Sequence, residues 1–240
     1  VGASGELQPA SRQLALAAQR VIAVEIDPHL VKILHDQFDG CPNVEIISGD
    51  ILKFDFSSIS DYYKTKVKVM GNIPYNISSP VIFHLLDFRT SISGFTLMLQ
   101  KEVVQRLVSD PDNKNYGVPS VLLQMYAKVD RLFDVQAGSF FPVPKVESSV
   151  IQSVFRERPL VDLEDETFFS RLVKASFAQR RKMLINNLKN AGLLKEFSDD
   201  DLKSALDAVD IDGKRRGETL SVEEFGNLSN ILKYRLTKLR

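Results

Sequence analysis

Four consecutive residues, Asn72-Ile73-Pro74-Tyr75, follow the apolar run that ends at Met70 and suit one chemical problem. An aromatic exocyclic amine is a poor nucleophile because its lone pair is delocalised into the ring. The Asn72 side-chain oxygen and a backbone carbonyl near Pro74 could accept its two protons. The nitrogen would then be held toward tetrahedral geometry as it attacks an electrophilic methyl group. Acceptors placed this way stabilise the developing positive charge, most strongly where water is excluded. Pro74 stiffens the turn and has no N–H to compete. Tyr75 offers a flat face for an extruded base. In an arbitrary chain Asn-x-Pro-Tyr is only a strand-to-turn connection; its neighbours here favour the chemical reading.

Those neighbours are two acids in comparable places. Glu25 ends the apolar run Val21-Ile22-Ala23-Val24, where a carboxylate can accept from both ribose hydroxyls of an adenosine-bearing cofactor. It equally suits the dipole of the helix that follows. Asp50 follows Ser48-Gly49 at the next strand end and could accept from an adenine amino group, or serve as a turn or N-cap aspartate. Glu25, Asp50 and Asn72 could together line one cleft at the carboxyl ends of the strands. Farther on, Phe140-Phe141-Pro142-Val143-Pro144-Lys145-Val146 is held extended by two prolines. Phe140 could close the second face of a stacked base, whereas Phe141 reads as core packing.

A third feature is electrostatic. Between Arg171 and Lys195 lie seven positive charges and no acid: Arg171, Lys174, Arg180, Arg181, Lys182, Lys189 and Lys195. Basic runs are often solvated helix faces, but this one stands in a chain of zero formal charge. Phosphate contact is the better reading. Lys233, Arg235, Lys238 and Arg240 extend it.

The elements that must position these residues alternate. Short apolar runs at Arg20–Glu25, Val44–Ile47, Lys66–Met70 and Gly94–Leu99 predict strands. Gln13–Arg20, a segment opened by Asp27-Pro28, Ser79–Leu86 and Val118–Met125 predict helices, and Val146–Phe155 a late strand. This is an α/β pattern, a doubly wound parallel sheet. Past Arg158 the pattern becomes helical: Thr167–Lys195, Asp199–Val209 and Val222–Leu239. A boundary near 157–166 is expected, with a catalytic domain over 1–160 and a small helical domain over 161–240.

Composition narrows the setting. An apolar fraction of 44% is ordinary for a globular chain. No apolar run approaches the roughly 18 residues of a membrane span, and the start lacks a secretory pattern. Cys41 alone forms no internal disulfide, which fits a reducing compartment, cytoplasmic or organellar. His29, His35 and His84 lack ligand spacing, so no metal is expected.

At this point a family resemblance is visible. Asn72 through Pro80, Gln100-Lys101-Glu102-Val103-Val104-Gln105-Arg106 and Tyr116-Gly117 look like the KsgA-type small-subunit rRNA adenine dimethyltransferases. So do Phe140 through Ser148, Phe177 through Lys182 and Arg216-Gly217-Glu218-Thr219-Leu220. The similarity runs from about Val21 to the C-terminus with the motifs in order. It implies a Rossmann-like catalytic sheet with an all-helical C-terminal domain, and S-adenosyl-L-methionine as methyl donor. It further implies N6,N6-dimethylation of two adjacent adenosines near the 3′ end of small-subunit rRNA, on an immature small subunit. A monomer with no membrane or metal partner is expected.

By this resemblance Glu25 with Ile26, Asp50 with Ile51, and Asn72 hold the cofactor. Asn72, Pro74, Tyr75 and Phe140 hold the target base, and Arg180, Arg181, Lys182 and Lys189 the RNA. The family carries Glu-x-Gly-x-Gly-x-Gly closing a first strand, where glycines let the backbone approach the cofactor. Here Gly2 and Gly5 stand nearest that motif, offset from the family positions, which fall near Ser4 and Glu6.

The rival readings are a large-subunit rRNA adenine methyltransferase of the antibiotic-resistance type, and a non-catalytic assembly or mitochondrial transcription factor on the same scaffold. A dinucleotide oxidoreductase is a third. The Asn-Ile-Pro-Tyr-Asn-Ile-Ser-Ser-Pro form and the Arg-Gly-Glu-Thr-Leu ending favour the small-subunit branch. Retention of Glu25, Asp50 and Asn72 together disfavours the non-catalytic readings, and the oxidoreductase gives no role to Asn72 or Phe140.

Overall fold

Caps and apolar runs set the element boundaries in the computed structural model, which describes residues 8–140 and 143–238, without the side chains of 8–11. After α1 (Gln8–Ala17) comes β1 (Val21–Glu25), whose last three residues are buried. Asp27 caps α2 (Pro28–Gln37) by accepting from the His29 N–H at 2.8 Å, with proline at the first helical position. There follow β2 (Val44–Ser48), α3 (Phe56–Tyr63), β3 (Val67–Asn72), α4 (Ser78–Asp87) and β4 (Ile92–Gln100). Next are α5 (Lys101–Leu107), α6 (Val118–Tyr126), β5 (Ala127–Val135) and β6 (Ser148–Phe155). Four helices close the chain: α7 (Glu166–Ser176), α8 (Leu184–Asn190), α9 (Asp199–Asp207) and α10 (Val222–Lys238).

The strands form two sheets, not the single parallel one that the alternation predicts. β1 pairs in parallel with β2, and the second sheet has the order β3-β4-β6-β5. β3 is parallel to β4, but β6 is antiparallel to it, with Gln100 opposite Ser148. The cause lies in the connection into β6, which among its described residues holds one 3-10 turn (Ala137–Ser139) and no crossover helix. β4 is buried at Ile92 and Gly94 and then at alternate positions from Phe95 to Leu99. Its tightest point is Gly94, where a Cβ would fall 2.2 Å from the Ser153 carbonyl oxygen.

The chain divides into two compact units: residues 1–104 with 130–154, and 105–129 with 155–240. Within the first, Val81, Ile82, Leu85 and Leu86 of α4 and Phe95, Leu97 and Leu99 of β4 are core residues. A cavity of about 690 Å³ there is lined by Val21–Ala23 of β1 and by Val67, Lys68 and Met70 of β3, with Phe38, Ile59 and Tyr63. In the second unit α7 packs on α10, α8 and α6. Phe169, Leu172, Leu188, Phe225, Leu228 and Leu232 are buried there. The span Thr167–Lys195, which reads as one helical pattern, is two helices separated by the turn 177–183.

Candidate active site

The acceptor side is built where β3 stops. Ile73 is buried and its N–H bonds to the Met98 carbonyl at 3.1 Å, anchoring the exit of the strand. Pro74 is extended, and its carbonyl accepts from the Ile77 N–H at 3.1 Å to close a 3-10 turn over Tyr75–Ile77. That carbonyl thus serves the turn with one lone pair and keeps a second. The Asn72 carboxamide makes no hydrogen bond within the described residues and is half-buried. Tyr75 is fixed twice: Ser78 Oγ donates to its carbonyl at 3.1 Å, and its hydroxyl meets the buried Ser148 Oγ at 2.9 Å.

Strand direction brings Phe140 to the same end. Because β3 and β4 are parallel and β6 runs back against β4, Ser148 begins β6 where β4 finishes. The 136–147 loop enters there, and it carries half-buried Phe140 directly after its 3-10 turn. Asn72, Tyr75 and the loop of Phe140 therefore share the carboxyl end of β3 and β4. Phe141 and Pro142 lie outside the described residues.

On the donor side, Glu25 is only 4% exposed, and its Oε1 accepts from the N–H groups of Ile26 (2.8 Å) and Asp27 (2.9 Å). Oε2 accepts nothing among the described residues. Asp27, not Glu25, caps α2. Beside Glu25 the Ile26 side chain is 65% exposed, an apolar surface suited to a ring of the cofactor. Asp50 caps the 3-10 turn Ile51–Lys53, with its Oδ1 on the Leu52 N–H at 3.0 Å and its Oδ2 left over. Ile51 is half-buried within that turn. One free carboxylate oxygen at each of two strand ends, an open carboxamide on Asn72 and an exposed apolar side chain fit a nucleoside-bearing methyl donor. Gly2 and Gly5 lie outside the described residues.

In the second unit the basic residues part into two groups. Arg180 bonds to the Glu218 carboxylate and to the carbonyls of Asn113 (3.2 Å) and Tyr116 (3.3 Å). Lys189 pairs with Asp199 at 2.7 Å. Arg171, Lys174, Arg181, Lys182 and Lys195 are exposed and make no ion pair among the described residues. Sequence reasoning did not find Ser148, the partner of Tyr75, because the contact spans 73 residues and depends on the register of β6. Among the described residues no acid, histidine or cysteine cluster could hold a metal, and no helix is long and apolar enough to cross a membrane.

An α/β region with parallel strands joined through helices, followed by a helical C-terminal region, is the architecture of Rossmann-like methyltransferases. The fold matches a dimethyladenosine transferase from Plasmodium falciparum (TM-score 0.78, 24% identity, 96% of this chain and 86% of that one). It also matches the 23S rRNA methyltransferase ErmE (TM-score 0.67, 24% identity, 93% and 86%). The chain belongs to the ribosomal RNA adenine dimethylase family, whose model matches residues 4–233. Similar relatives include the ribosomal RNA small subunit methyltransferase A of Syntrophus aciditrophicus, 45% identical over 92% of this chain and 79% of that protein. The protein of that description from Geobacter sulfurreducens is 49% identical, over 90% and 78%.

Proposed function

We propose that this protein dimethylates N6 of two adjacent adenosines near the 3′ end of small-subunit rRNA, acting as a cytoplasmic monomer on the immature subunit. The observation that carries this reading is the Asn72 carboxamide, which makes no hydrogen bond within the described residues and stands beside a hydroxyl-tethered Tyr75. The small-subunit relatives support the choice of RNA.

S-adenosyl-L-methionine supplies an electrophilic methyl group when bound. Glu25 and Asp50 would hold its ribose and adenine through the carboxylate oxygens that the backbone does not occupy, with Ile26 and Ile51 against the ring. Asn72 Oδ1 and the second lone pair of the Pro74 carbonyl accept hydrogen bonds from the amine N–H groups, turning the nitrogen lone pair out of conjugation. Tyr75 and Phe140 stack on the base and exclude water, which strengthens both acceptors. We assign catalysis to residues 1–160 and RNA binding to the helical region 161–240.

The test is transfer of labelled methyl groups to immature small subunits. Asn72→Ala loses transfer by on the order of 100-fold while its circular dichroism is unchanged. Undiminished transfer in that variant removes Asn72 from the mechanism. Transfer to large-subunit RNA alone selects the resistance-type reading instead.

A further inference from the structure

Lys101, the first residue of α5, bridges the two ends of the loop that carries Phe140. Its Nζ lies 2.7 Å from Glu147 Oε2 and 3.1 Å from Asp134 Oδ2. Asp134 is one residue from the end of β5 and Glu147 directly precedes β6, so the two acids are the feet of the 136–147 loop. The Lys101 N–H also donates to the Glu147 carbonyl at 3.0 Å. Ser149 Oγ braces Asp134 at 2.6 Å, and Arg131 stands 3.5 Å from the same carboxylate. Ser148, between Glu147 and Ser149, bonds to Tyr75. The stretch Glu147-Ser148-Ser149 thus joins the tie on Tyr75 to the Lys101 bridge.

We propose that Lys101 is a positioning residue for the base pocket, bridging both feet of the 136–147 loop so that Phe140 stands at a fixed separation from Tyr75. This rests on the reading above in taking those rings as the walls of the pocket. Without the ammonium, the carboxylates of Asp134 and Glu147 face each other, with Arg131 beside Asp134 alone among the described residues, and their repulsion spreads the feet. The hydrogen bonds to Glu147 and then Asp134 hold the Lys101 amine above its usual range. The Ser149 hydrogen bond, then Lys101, hold Asp134 below the usual carboxylate range. All of these groups reach solvent, so the bridge adds little to global stability. Its effect is confined to the loop.

The chain contains no tryptophan, so Phe140→Trp installs a single reporter in that loop. In this background Lys101→Met raises acrylamide quenching of the reporter roughly twofold, and Lys101→Arg leaves it unchanged. With native Phe140, Lys101→Met lowers kcat on immature small subunits on the order of tenfold with KM held within about twofold, and Lys101→Arg restores kcat. Identical quenching in all three proteins overturns the proposal, as does an equal loss of kcat and of thermal stability in the Met and Arg variants. If quenching responds to Lys101 but the unsubstituted protein transfers no methyl group to small subunits, the bridge stands and the proposed function falls.

Discussion

At the residue scale the proposed chemistry uses one side chain tied across the sheet end, Tyr75, and one without a hydrogen bond among the described residues, Asn72. Removing the hydroxyl in Tyr75→Phe breaks the tie to Ser148 at 2.9 Å. A net hydrogen bond of about 1 kcal/mol corresponds to roughly fivefold in kcat/KM, measured by methyl transfer with the fold unchanged. Tyr116 is the reverse case. Its hydroxyl is buried with no partner among the described residues, and burial pushes its ionisation well above the usual tyrosine range. Tyr116→Phe deletes an unsatisfied group, so stability to denaturant rises by about 1 kcal/mol. A fall would show that the hydroxyl is satisfied after all. Asn72 to Tyr75 was legible in the sequence because its parts are contiguous. Ser148 and Lys101 were not, because their partners are assigned only by the antiparallel register of β6.

At the element scale, caps and close approaches decide what each segment can tolerate. Asp165 caps α7 through the Phe168 N–H at 2.8 Å and pairs with Lys233 of α10 at 2.6 Å. The Lys233 hydrogen bond, then the Phe168 N–H, hold its carboxyl below the usual range. A depressed folded-state value means stabilisation that is present above the unfolded carboxylate value near 4 and lost as pH falls through the folded one. Asp165→Ala therefore costs about 1 kcal/mol at neutral pH, a difference that shrinks in acid, as urea titrations at the two pH values would read. Gly94→Ala drives a methyl into the Ser153 carbonyl and costs about 2–3 kcal/mol. An unchanged denaturation midpoint would mean that the β4–β6 register yields.

The strands with apolar runs were predicted, and β5 was not, since Lys128, Asp130, Arg131, Leu132 and Phe133 are all exposed on an edge strand. Nor did helical periodicity between Thr167 and Lys195 reveal the turn at 177–183. Arg180 is fixed in that turn by Glu218 and two carbonyls from residues far away in the chain.

At the scale of the whole molecule the formal charge is zero, so attraction to RNA must come from local cations. Arg181 and Lys182 are exposed and without ion pairs among the described residues. Neutralising both lowers the slope of log affinity against log salt by about 1–2 and leaves the thermal midpoint where it was. Neutralising Arg180 instead lowers the midpoint, because it opens the Asn113–Tyr116 segment. A salt slope indifferent to Arg181 and Lys182 would make the basic stretch only a solvated face.

Among the described residues the strands form two sheets, and Glu25 lies on the smaller one. Glu25 rides on a pair of strands, β1 and β2, and none of the β2 residues is fully buried. Val21, Ile22 and Ala23 of β1 line the same cavity as Val67, Lys68 and Met70 of β3. Amide protons of β1 and β2 accordingly exchange faster than those of β4. Protection against exchange therefore falls off from the middle of the larger sheet toward the strands beside Glu25.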